Sequence, residues 1–179
     1  MNPSNDKCNP NQDLKVLVLG AAESGKSTLC RHIRGIHGDS FTDEEILHFK
    51  HHIRSSSIHI FANILQGFLK ENCEEFLCKQ FCVEFLQEYK SHSINDYDRK
   101  FLETSVQVWR FYSIQKYILK IINPPSTANV SGFVVPTRTY SDNPSSQFLP
   151  SFSRIMSKGY KPTLEDILTV RIPTLGKPQ

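Results

Sequence analysis

LKVLVLGAAESGKST, residues Leu14 to Thr28, decides how this chain is read. A short apolar run of β-formers, Lys15 to Leu19, predicts a buried strand. It breaks into Gly20-Ala21-Ala22-Glu23-Ser24-Gly25-Lys26-Ser27, which fits G-x-x-x-x-G-K-[ST]. A helix-forming segment, Ser27 to Ile36, follows. Strand, glycine-rich loop and helix in that order are the setting in which such a loop cradles phosphate. A ligand-free Gly-rich strand-to-helix turn is the plainer alternative.

The residue types supply the chemistry. Backbone N–H groups from Glu23, Ser24, Gly25, Lys26, Ser27 and Thr28 would form an anion nest at the positive end of the following helix. Gly20 and Gly25 allow close backbone approach, and Lys26 brings a mobile cation to β- and γ-phosphates. The Ser27 hydroxyl is suited to ligate Mg²⁺ bridging those phosphates. Ala22 stands mid-loop, close to where a γ-phosphate would lie.

With 179 residues, 39% of them hydrophobic, the chain can bury a substantial core. Its net charge of +3 is too weak to argue for a nucleic-acid partner. The five cysteines, Cys8, Cys30, Cys73, Cys78 and Cys82, are odd in number and irregular in spacing, unlike a secreted disulfide framework. The leading MNPSNDKCNPNQD has no apolar signal region, and no segment has the length and apolarity of a membrane span. A cytoplasmic location follows, with attachment to the cytoplasmic face of the plasma membrane left open.

Residues 1–13 read as a polar, disordered lead. Gly35 to Ser40 reads as a connector, after which Thr42 and Glu45 form a capping box that opens a long helix. Ile46, Phe49, Ile53, Ile60, Phe61, Ile64 and Phe68 share one side of it. Leu77, Cys78, Phe81, Cys82, Phe85 and Tyr89 mark a second amphipathic helix, and Tyr97 to Ser105 and Val106 to Ile121 two more. Residues 123–150, dense in Pro, Ser and Thr, read as a loop. Helical signals return at Phe152 to Ser157, and Thr163, with Asp166 three residues on, caps a short helix from Leu164 to Leu168.

GAAESGKST, the lead-in GDSFTDEE and the closing KPTLEDILTVRIPTLG together resemble the α subunits of heterotrimeric G proteins. The resemblance implies an α/β P-loop GTPase (Ras-like) fragment interrupted by an inserted all-α helical-bundle domain, in a chain that is predominantly α. Residues 14–40 and 169–179 would be the partial GTPase domain, and 41–168 the insertion. The resemblance further implies GTP and GDP as ligands, Mg²⁺ as cofactor, and βγ subunits and G-protein-coupled receptors as partners. Arg171 falls at the arginine finger, the catalytic cation of the family, and Thr174 at the switch I threonine that joins Ser27 on the metal. Glu23 matches the loop glutamate that pairs with that arginine, while Leu168, Thr169 and Val170 match the segment beside ribose and phosphates.

Departures from the family pattern temper these expectations. Ala22 replaces a glycine, and its methyl is expected to crowd attacking water and Arg171. Pro173 and Leu175 replace a Lys and a Thr in switch I. Asn2 removes the glycine needed for N-myristoylation. Neither D-x-x-G-Q nor N-K-x-D follows Thr174, so the truncated chain is expected to hydrolyse GTP slowly or not at all. A single strand leaves backbone groups unpaired, so the helical unit is expected to fold better than the nucleotide half.

The plain alternatives are solvated or core side chains. Arg171 alone reads as a solvated arginine; only its place between the capped helix and Thr174 makes it a finger. His48, His51 and His52 read as a polar helix face, and Cys73, Cys78 and Cys82 as core thiols. Two function classes fit the sequence: a signalling GTPase, or a non-enzymatic helical module competing for G-protein regulators. A phosphate-loop kinase of another family is disfavoured by the match around Arg171 and Thr174.

Overall fold

The computed structural model describes residues 16–21, 24–38, 41–71, 76–91, 98–122 and 144–172. The expectations for the lead 1–13, for Ala22, Glu23, Cys8, Cys73, Pro173, Thr174 and Leu175, and for most of the loop fall outside them. Among the described residues the regular structure is helical: α1 (Lys26–His37), α2 (Asp43–Lys70), α3 (Phe76–Ser91), α4 (Arg99–Trp109), α5 (Tyr112–Ile122), a 3-10 helix (Pro144–Ser151), α6 (Phe152–Ile155) and α7 (Leu164–Thr169).

The 28-residue α2 is about 42 Å long and forms the spine of the bundle. It starts where the capping box predicts: Glu45 N–H donates to Thr42 Oγ1 (3.2 Å), and Thr42 N–H donates to Glu45 Oε2 (2.9 Å). Its apolar stripe buries Phe49, Ile53, Ile60, Phe61, Ile64 and Phe68 against α3, α5, α6 and the 3-10 helix. Phe61 sits among aromatic rings, with centroids 5.5 Å from Phe85, 5.6 Å from Trp109 and 4.6 Å from Phe152. The ring geometries are edge-on or tilted, as aromatic quadrupoles favour. Two buried hydroxyls find partners inside their own helices: Ser57 donates to Ile53 O and Ser105 to Leu102 O, both at 2.7 Å.

The structure corrects several expectations. Val16 to Gly20 have no regular secondary structure, and Val16, Leu17 and Leu19 are more than two-thirds exposed. A strand requires a neighbour for its N–H and C=O groups, and none exists among the described residues. The α/β arrangement is therefore not seen in them. Gly35 to His37, expected in a connector, continue α1. Leu77, on one edge of the α3 stripe, is exposed, and Leu86, on the opposite edge, is buried. The helix expected over Val106 to Ile121 is divided at Arg110 and Phe111. That break lets Trp109 stack on Phe152 (4.9 Å) while Phe111 packs on Phe81 (5.7 Å).

The end of the supposed loop is also structured. Pro144 to Ser151 form the 3-10 helix, whose Phe148 and Leu149 are buried in the core. Proline density hid two apolar residues whose burial outweighs the weak local propensity.

Glu45 binds more than its cap. Arg34 of α1 donates to both of its carboxylate oxygens, at 2.7 and 3.1 Å. The Arg34 hydrogen bond, then the Thr42 backbone bond, hold the Glu45 carboxyl at about 2, below the ordinary 4.5. The unfolded chain therefore binds this proton more tightly, so the stability Glu45 contributes is present above pH 4.5 and fades as pH falls toward 2. Glu45→Gln is expected to flatten that part of an acid-unfolding profile followed by circular dichroism. Phe61→Ala is expected to cost about 3–5 kcal/mol in urea unfolding, with the m-value unchanged.

Candidate functional site: the loop before α1 and the end of α7

Gly25 carries the turn into α1, with φ of 86°, a left-handed conformation that glycine adopts without a Cβ clash. No side chain caps α1, and its first turn holds no acidic residue. The helix therefore presents its leading N–H groups and the positive end of its dipole without an internal anion. Ser24 N–H donates to Ala21 O (3.3 Å), closing the loop on itself.

Lys26 folds over that loop. Its ammonium donates to Gly20 O (2.8 Å), to Ala21 O and to Ser24 Oγ (3.2 Å). The Lys26 cation is thus held on the loop's own oxygens. Ser27 follows in the first turn of α1, half-buried, and Thr28 is exposed.

The other candidate residues come from the far end of the chain. Helix α7 begins with a second capping box, Asp166 N–H donating to Thr163 Oγ1 (3.2 Å) and Thr163 N–H to Asp166 Oδ2 (2.9 Å). Leu168 and Thr169 are half-buried, Val170 is buried and Arg171 is exposed. To another described residue the Arg171 side chain makes no hydrogen bond or ion pair.

Three groups that sequence reasoning did not single out hold this end together. Arg31 of α1 donates to Ile167 O (3.2 Å) and Val170 O (2.8 Å), joining the loop's helix to the segment before Arg171. Arg154 grips Asp166 with two bonds, of 3.0 and 2.8 Å, and Tyr160 adds a third at 3.1 Å. Burial pushes the Asp166 carboxyl up, but the bonds from Arg154, Thr163 and Tyr160 prevail and hold it below its ordinary value. Burial, with Asp166 close by, raises the Tyr160 phenol well above its usual range. Only the capping role of Asp166 was legible; its partners lie 12 and 6 residues away without a periodic signal.

Among the described residues no group of three or more His, Cys, Asp or Glu could hold a metal ion. Nor is any of their helices long and apolar enough to cross a membrane. A cavity of about 600 Å³ lies elsewhere, lined among others by Arg54, Leu102, Val106, Arg110, Met156 and Lys158, and by none of the loop residues.

Comparison with known proteins agrees with the loop and the helical unit together. A family model described as G-protein alpha subunit matches residues 2–179. The guanine nucleotide-binding protein alpha-2 subunit of Saccharomyces cerevisiae is 32% identical over 178 residues, covering 97% of this chain and 36% of that protein. The alpha-8 subunits of Caenorhabditis elegans and Caenorhabditis briggsae are 33% and 34% identical, each over 91% of this chain and 43% of their own length. The chain thus spans 36% to 43% of the length of these relatives.

Asp166→Asn removes the buried carboxylate that Arg154 and Tyr160 bind. It is expected to lower stability by about 1.5–3 kcal/mol, read as a shift of the urea midpoint.

Proposed function

This chain belongs to the G-protein alpha subunit family, and we propose that within it the chain acts as a guanine nucleotide-binding, α-subunit-like signal transducer. The observation that carries the reading is a single family match running over both the phosphate-cradling loop and the segment that ends in Arg171. The names of the relatives supply guanine nucleotide as the ligand. On this reading residues 14–40 and 169–179 belong to a P-loop GTPase domain, and 41–168 to its helical insertion.

In the proposed site the N–H groups from Glu23 to Thr28 hold the β- and γ-phosphates, and Lys26 turns from the loop carbonyls toward them. Ser27 and Thr174 are the oxygen donors for Mg²⁺, which would supply charge neutralisation across the phosphates. Hydroxyl oxygens suit that hard cation, and Ser27 stands in the first turn of α1. Leu168, Thr169 and Val170 flank the nucleotide, Glu23 pairs with Arg171, and the Arg171 guanidinium meets charge on the transferred phosphoryl group. βγ subunits and receptors are the proposed partners, at the cytoplasmic face of the plasma membrane.

Hydrolysis needs an oriented water as well as charge stabilisation. An arginine finger is worth about 10³–10⁵ in rate, but only once nucleotide and water are in place. The 179-residue chain offers Lys26, Ser27, Thr174 and Arg171 for charge, and Ala22 where water and arginine must fit. Titration with fluorescent GTP and ATP analogues in Mg²⁺ is expected to show weak binding that Lys26→Ala abolishes. A strong guanine preference would show that this chain reads the base. Single-turnover phosphate release is expected at background; turnover that Arg171→Ala removes would show a complete catalytic site.

A further inference from the structure

We propose that Arg31 is a positioning residue: it clasps α1 to the end of α7 and thereby governs how long nucleotide stays bound. The second half of this statement rests on the nucleotide reading above; the clasp itself rests on geometry.

Helix α7 ends at Thr169, so its last carbonyls have no partner within the helix and carry the negative end of its dipole. Arg31 answers both needs with one guanidinium. Its Nη1 lies 3.2 Å from Ile167 O and 2.8 Å from Val170 O. The face of the same group lies over the Phe49 ring of α2, 5.4 Å from its centroid. Among the described residues no carboxylate pairs with Arg31. Its hydrogen bonds are therefore spent on backbone carbonyls, where a fixed fork of donors outperforms a point charge.

Position makes the contact functional. Arg31 lies five residues beyond Lys26 on a rigid helix, so the loop moves with it. Val170 O belongs to the same planar peptide unit as the Arg171 N–H. Fixing that oxygen fixes the plane from which Arg171 departs. A second contact farther along confirms that the two helices are docked. At Gly35 an added Cβ would meet Leu164 Cδ1 at 2.5 Å, so α7 crosses α1 where α1 has no side chain. Loss of Arg31 would leave that apolar contact in place and release only the end that bears Arg171.

The test compares Arg31→Gln and Arg31→Lys with the parent chain. Amide hydrogen exchange over 164–172 is read beside the release rate of a fluorescent GDP analogue in Mg²⁺. Arg31→Gln is expected to speed exchange in that segment and nucleotide release by about tenfold or more, as charged hydrogen bonds are lost. Exchange in α3 to α5 and the unfolding midpoint followed by Trp109 fluorescence stay at parent values. Arg31→Lys, which keeps a cationic donor, recovers part of both effects. Exchange over 164–172 that is unchanged in Arg31→Gln, or that rises equally throughout the helical unit, overturns the clasp. Normal release from a variant whose exchange has risen overturns its control of the nucleotide and leaves the nucleotide reading standing. If the parent chain binds no analogue, the nucleotide reading fails, control of release falls with it, and exchange alone decides the clasp.

Discussion

Helix α1 buries no side chain of its own, and two guanidinium groups, together with the close approach of Leu164 to Gly35, attach it to the helical unit. Arg31 reaches the carbonyls at the end of α7, and Arg34 reaches the carboxylate that caps α2. Neither contact derives its strength from apolar area. Leu29, Ile33 and Ile36 remain about half exposed or more, as do Val16, Leu17 and Leu19 before the loop. The helical unit, with its aromatic cluster around Phe61, has a core of its own; the helix after the loop is held to it by these two arginines, each also lying over an aromatic ring, and by the approach of Leu164 to Gly35. Ordered charge-assisted bonds of this kind position a site with little bulk burial, and they yield locally before the core does.

The sequence disclosed those features that a short pattern encodes. Thr42 with Glu45 and Thr163 with Asp166 are capping boxes over four residues, and both helices begin where those pairs dictate. The stripe from Phe49 to Phe68 is buried because a 3.6-residue period needs no knowledge of its partner. The loop motif gave the turn at Gly25 and the start of α1 within one residue. Family membership followed from the same motifs together with the segment around Arg171.

What stayed hidden is non-local. Arg31 meets oxygens 136 and 139 residues away, and main-chain carbonyls leave no mark in a side-chain pattern. Gly35 looked like a connector because glycine is a poor helix former, whereas its role is to let Leu164 approach. Leu77 and Leu86 lie half a turn apart, on opposite edges of the α3 stripe centred on Cys78, Cys82 and Phe85, and packing buries only the Leu86 edge. The Pro- and Ser-rich segment concealed Phe148 and Leu149 for the opposite reason: composition spoke for a loop while two side chains fitted the core. The strand before the loop depends on neighbours that a local pattern cannot supply.

The central claim is that the loop ahead of α1 and the end of α7 act as one phosphate-holding unit. Hydrogen exchange of the parent chain with and without a Mg²⁺–GTP analogue tests it most directly. The account predicts new protection in residues 24–31 and 164–172 together, with α3 to α5 unchanged. Protection of only one of those segments, or protection confined to the cavity lined by Arg54, Arg110 and Lys158, would contradict it.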